Sequence, residues 1–236
     1  MRRMYPLLAA VLLAVLLAGC GAKSNTTGAS DVPNTLPSAG SPDIVPTVGE
    51  GGEATHTSGG AEAPSEQLSA KETQLKETAQ EVVEYLRERD LNSLVPFIDP
   101  KLGLRFSPYS HVNKDTDLVF TPDTLPSFKD ATKQVWGTND GSGDPIELSF
   151  RDYYEKFVYN KDFADAPNIS VNKLLGKGNT EFNVTDAYPN ASYVEYYFPG
   201  SDKDLGGMDW QSLILVFDPE GDDWRLTGIM HGQWTI

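Results

Sequence analysis

The sequence predicts one α+β domain at the C-terminal end of a chain whose beginning is not globular. Three observations lead there. Apolar residues recur at helical intervals between Leu75 and Leu86. From Val171 onward, β-branched and aromatic runs are separated by clusters of Gly, Pro, Asn and Asp. Of the 24 Phe, Tyr and Trp residues, 23 lie at or after Tyr85, so nearly all the rings that could fill a core belong to one segment.

The chain opens with Arg2 and Arg3, followed by an uncharged, mostly apolar run from Met4 to Gly19. That run is 16 residues long, short for a membrane-spanning helix, which needs about 20. It ends in Leu17-Ala18-Gly19-Cys20, small residues before the single cysteine of the chain. A basic start, an apolar stretch and a small-residue cleavage site are the parts of a secretory signal. Together with the cysteine they resemble a bacterial lipoprotein signal peptide with its lipobox. The resemblance implies diacylglycerol on the Cys20 sulfur, cleavage between Gly19 and Cys20, and anchoring to the cell membrane on its extracytoplasmic face. Several acyl chains hold a protein stably where one is marginal. The bland alternatives are an ordinary signal peptide or a short anchor with an incidental cysteine. One cysteine forms no disulfide within the chain.

Residues 21 to 66 hold eight glycines, five prolines and no aromatic residue. Such a composition cannot bury enough apolar surface to offset the entropy of ordering. With Cys20 it reads as a disordered tether (20–66), spanning roughly 35–40 Å root-mean-square as a flexible coil. The domain then occupies 67–236. It carries 16 Lys and Arg against 28 Asp and Glu, a charge of −12 within the chain's −15. Nucleic-acid binding needs a basic face and is excluded on this count.

Within the domain, Ser69-Ala70-Lys71-Glu72 has capping-box spacing. Leu75, Ala79, Val82, Val83 and Leu86 follow on one face, predicting a helix from about 69 to 89. Asp90 can cap a short second helix that Asp99-Pro100 ends. Leu104-Arg105-Phe106 and Leu118-Val119-Phe120 read as short strands. Asn139 to Asp144 form a strong turn signal after Val135-Trp136-Gly137. Ser149 with Asp152 starts another helix, whose Phe150, Tyr153, Tyr154, Phe157 and Val158 share a face. Residues 171–175, 192–198, 212–217 and 224–234 read as strands, the last two joined through 218–223.

The element order, the 82–100 pattern with Arg89-Asp90-Leu91-Asn92-Ser93-Leu94, and the closing Trp224-Arg225-Leu226-Thr227-Gly228-Ile229 resemble the nuclear-transport-factor-2-like (SnoaL-like) family. The resemblance covers about 75 to 236. It implies a curved antiparallel sheet wrapped around a long N-terminal helix into a cone. Segments near 107–135 and 176–190 depart from the compact pattern, and a different helix-on-sheet fold is the alternative.

Candidate chemistry is sparse. The family's enzymes often place a His/Asp pair inside the cone. His231 with an acid such as Asp209 could act so. In plain alternation, however, His231 shares its face with Arg225, Thr227, Ile229 and Gln233, company that suits a rim. His111 lies among loop residues. Asp140, Ser142 and Asp144 have alternating oxygens, but Pro145 and Arg151 stand where an EF-hand needs Gly and Glu, so a hairpin turn is expected. No metal-spaced His/Cys set, phosphate loop or nucleophile elbow is present, and no cofactor, metal or catalytic residue is assigned. A candidate pocket is assembled from Tyr153, Tyr154, Tyr196, Asp209, Trp210 and His231, whose rings have polar tips. The sequence therefore suggests a lipid-anchored, non-catalytic module that binds a small molecule or an envelope partner. The rivals are an isomerase, dehydratase or hydrolase using His231, and a purely structural envelope module.

Overall fold

The computed structural model describes residues 64–235; the expected signal segment, Cys20 and the expected tether up to residue 63 lie outside the described residues. Helix α1 spans Pro64–Glu88. It begins about five residues before the expected start. Proline suits a first turn, where a missing N–H forfeits no intrahelical bond. The predicted stripe of Leu75, Ala79, Val82, Val83 and Leu86 is buried. The helix stops in a Schellman arrangement, with Asp90 N–H on the Tyr85 carbonyl and Arg89 N–H on the Leu86 carbonyl. Arg89 takes the left-handed position that glycine usually fills, at φ 56°. Its guanidinium is held by Glu155 at 3.0 Å.

Asp90 caps α2 (Leu91–Leu94) by accepting from the N–H groups of Asn92 and Ser93. A 3-10 turn, Val95–Phe97, takes up Pro96. Next come β1 (Leu104–Ser107), β2 (Leu118–Phe120), β3 (Lys133–Thr138) and β4 (Pro145–Ser149). Ser149 caps α3 (Phe150–Tyr153), which runs into a π-helical turn, Tyr154–Val158. The five rings and aliphatics predicted to share a face here are all buried. The remaining elements are a 3-10 turn (Phe163–Asp165), β5 (Asn168–Val171), α4 (Val184–Ala187), β6 (Ser192–Phe198), β7 (Gln211–Glu220) and β8 (Asp223–Gln233). The strand expected at 171–175 thus lies earlier, and the β7–β8 loop tightens to Gly221 and Asp222, with Gly221 at φ 65°.

The main sheet has six strands in the order β2-β1-β8-β7-β6-β5. All its pairings are antiparallel except one: β1 runs parallel to β8, Phe106 opposite Ile229. β3 and β4 form a separate hairpin. The larger core lies between the sheet and α1, α2 and α3, with Leu213, Leu215, Phe217, Leu226 and Ile229 facing the helices. A smaller cluster on the other face gathers Tyr193, Ile214, Val216 and Met230 under Val112 and Val184. Each fully buried Leu, Ile or Val stabilises by about 1.5–3 kcal/mol relative to exposure.

A bulge corrects the expected face assignment of β8. Val216 pairs with Gly228 but Phe217 pairs with Leu226, leaving Thr227 as an extra residue. The Thr227 hydroxyl donates to the Val216 carbonyl at 3.2 Å. The bulge bends the strand and puts Leu226 and Ile229 in the same core, where strict alternation would separate them. His231 therefore belongs to the helix-covered face and is fully buried, not at a rim.

Candidate functional site

The six residues of the sequence-derived pocket occupy different settings. Tyr153, Tyr154 and Tyr196 are core residues, each 1% exposed. Trp136 lies flat on Tyr153 with ring centres 4.0 Å apart, and its indole N–H donates to the Leu148 carbonyl at 2.9 Å. The Tyr154 hydroxyl donates to the Leu86 carbonyl and ties the π turn to the end of α1. Burial raises all three phenol pKa values. These rings are packing.

Asp209 fastens a loop. Its carboxylate accepts from the backbone N–H groups of Ser201 and Asp202 and from the Ser201 hydroxyl. Those backbone bonds hold its pKa below the usual range. A Cβ on Gly200 would meet the Gly207 carbonyl oxygen at 2.3 Å, so the loop closes only around a glycine. Trp210 lies over Gly176, where a Cβ would meet its ring at 2.4 Å, while a Cβ on Gly232 would meet the Ser212 hydroxyl oxygen at 2.2 Å.

His231 is sealed beneath the π turn, with the Phe157 ring edge-on at 6.0 Å. Neither ring nitrogen has a hydrogen-bond partner among the described residues. Gln233 approaches the imidazole but completes no bond of ordinary geometry. Burial lowers the pKa to about 4, so the ring is neutral at pH 7. The carboxylate of Asp209 is committed to its loop, and the His/Asp pair does not assemble.

An open space lies elsewhere, at the end of the sheet where β1 and β8 finish. It is a cleft of about 600 Å³. Four segments distant in sequence bound it: the loop after β1, the β3–β4 turn, residues 179–181, and Thr235. The turn matches the hairpin expected from Asn139 to Asp144. Asn139 N–H donates to the Asp144 carbonyl at 2.7 Å, and Gly141 and Gly143 take φ of 78° and 73°. Asp140 N–H donates to the Tyr109 hydroxyl at 2.9 Å, which fixes the turn to the loop.

That loop is organised by Asp117, whose side chain is 2% exposed. Its carboxylate accepts from the Ser107 hydroxyl at 2.6 Å and from Asn113 N–H at 2.9 Å, with the Arg105 guanidinium at 4.0 Å. Desolvation nevertheless raises its pKa above the ordinary carboxylate value. His111 bridges to the third segment. Its Nδ1 lies 3.0 Å from the Glu181 carbonyl, and its Nε2 faces the Asn183 amide nitrogen at 3.4 Å. Asn183 accepts from Val112 N–H and donates to the Val112 carbonyl, which fixes its amide orientation. The matching tautomer carries its hydrogen on Nδ1. Both nitrogens of His111 are thereby engaged. Among the described residues no group of three His, Cys, Asp or Glu is placed to hold a metal ion.

No protein-family model matches the chain, and no curated protein matches it. Among solved structures, a chain titled Rd1NTF2, in a form carrying five substitutions, is similar at 12% identity; the match covers 71% of this chain and 99% of that one, with a TM-score of 0.26.

Sequence reasoning passed over Asn113, Thr116, Asp117, Thr138 and Glu181 as residues of a site. The available signal was the density of Asn, Thr, Ser and Gly in loops at 110–117, 138–143 and 179–181. Each loop alone reads as a solvated turn.

Proposed function

We propose that this protein is a lipoprotein anchored through Cys20 on the extracytoplasmic face of a membrane, whose α+β domain binds a ligand without transforming it. The anchor rests on the sequence: the basic start, the short apolar run, the small residues and the single cysteine. We assign the domain to the nuclear-transport-factor-2-like group on its layout. The long helix α1 lies on a bent six-stranded sheet, and the β7–β8 hairpin forms the sheet's centre. The observation that carries the binding role is the polar cleft, where His111 has both nitrogens engaged.

The enzyme reading required His231 to meet an acid, and His231 is instead a neutral, sealed core residue. Two experiments test the proposal. Cells fed a radiolabelled fatty acid are expected to label the parent chain and not Cys20→Ala; an unlabelled parent removes the anchor. In a thermal-shift screen of small polar molecules, stabilisation by a ligand is expected to survive His231→Leu. A turnover activity that this variant abolishes on a folded chain would restore the enzyme reading.

A further inference from the structure

We infer that the cleft takes an uncharged, polyhydroxylated ligand, a short saccharide. The inference rests on reading the cleft as the ligand site and adds the chemical class. It follows from what the lining can and cannot satisfy.

Among the described residues no Lys or Arg lines the cleft. Arg105, the nearby cation, is turned to the Tyr188 hydroxyl at 2.9 Å and to Asp117. An anionic ligand would therefore meet carboxylates without a compensating charge, in a domain already at −12. A cationic ligand fares little better. Asp117 is occupied by Ser107, Asn113 and Arg105, and Asp140 is already engaged within the fold. Glu181 is left as the one lining carboxylate without a protein partner among the described residues. A single exposed ion pair contributes about 0–1 kcal/mol.

The rest of the lining both donates and accepts. The hydroxyls of Thr116 and Thr138 have no hydrogen-bond partner among the described residues and are exposed to the cleft. The Ser142 hydroxyl accepts from Asp144 N–H and keeps its own hydrogen. An ammonium offers only donors and a phosphate mainly acceptors, so each would leave part of this set unmatched. Sugar hydroxyls do both. Half-buried Tyr109 supplies a ring, fixed in place by the bond from Asp140 N–H, against which the apolar edge of a sugar can rest. The volume lies within the range of ordinary ligand pockets.

The test is a titration of the full chain in detergent micelles, with backbone amide shifts as the readout. The probes are chitotetraose and maltotetraose as neutral sugars and spermine as a polycation. The expected result is saturable movement of the Thr138, Gly141 and Gly143 amides with a sugar and not with spermine. Thr138→Val, an exposed substitution, should weaken that binding about fivefold, the loss of one net hydrogen bond. Glu181→Gln, which keeps an acceptor and removes the charge, should change it less than about twofold. Spermine moving these amides while both sugars leave them still would overturn the saccharide class and leave the cleft as a ligand site. Silence with all three at millimolar concentration would overturn both.

Discussion

Within β3, two residues apart, Trp136 and Thr138 serve opposite ends. The Trp136 ring is completely buried, flat against Tyr153 and edge-on to Phe106 at 5.8 Å. Thr138 is exposed and opens onto the cleft. One hairpin thus carries a wall of the aromatic core and a wall of the polar site. The aromatic region spends its rings on each other, and even its polar tips are turned inward, as Tyr154 shows by donating to Leu86. The cleft keeps the hydroxyls of Thr116 and Thr138 without a partner among the described residues. Aromatic density in a sequence therefore marks where this domain is held together, and exposed hydroxyls without partners among the described residues mark where it can bind.

The sharpest way to break the aromatic side is Trp136→Ala. It removes a fully buried ring and the hydrogen bond to Leu148, and the expected loss is about 3–5 kcal/mol in denaturant unfolding. If the domain loses less than about 1 kcal/mol, the stack is not what joins the hairpin to the core.

His231 gives the next largest effect, and it depends on pH. Its folded pKa is about 4 against about 6.5 for an ordinary imidazole, so the unfolded chain takes up the proton first. The neutral ring's contribution is fully present above about pH 6.5 and falls as pH drops toward about 4, by on the order of 3 kcal/mol in total. Glu195 and Asp117 have raised pKa values and push the opposite way in acid. The informative quantity is therefore the parent's stability minus that of His231→Leu, followed from pH 7 to 4. A flat difference would mean the imidazole is hydrated or paired.

Glu195 probes the sheet face opposite the helices. Fully buried, its carboxylate accepts from the N–H groups of Leu175 and Gly176 and holds that segment on the sheet. Glu195→Gln sets an amide donor against one of these N–H donors. It is expected to cost about 1–3 kcal/mol and to speed hydrogen exchange at Leu175 and Gly176 before the β7 amides. The smallest effect belongs to the cleft itself. Thr138→Val should change stability by less than about 0.5 kcal/mol, as an exposed substitution without partners does. A larger loss would make Thr138 structural.

Much of the fold was legible because it is periodic. The stripe on α1 and the face of Phe150, Tyr153, Tyr154, Phe157 and Val158 are buried as spaced. The closing hairpin also lies where its turn residues put it. What was hidden is non-local. The parallel β1–β8 pairing joins residues more than a hundred apart, and nothing near Phe106 names Ile229 as its neighbour. The Thr227 bulge reverses the faces of β8 upstream of it, which moved Leu226 into the core and left His231 in apolar company. The tyrosines suggested a pocket because amphipathic rings suit pockets and cores equally. The cleft exists only where four separate segments converge, and no local pattern contains that convergence.

The most direct measurement of the central claim is where a bound ligand perturbs the backbone. Amide shifts mapped across the full chain during titration with a binding sugar are predicted to move at Thr138, Gly141 and Gly143 and to stay fixed at Tyr153, Tyr154 and Tyr196. Movement centred on Phe157 and His231, with the β3–β4 turn unaffected, would contradict the account and put the ligand in the interior described here as sealed.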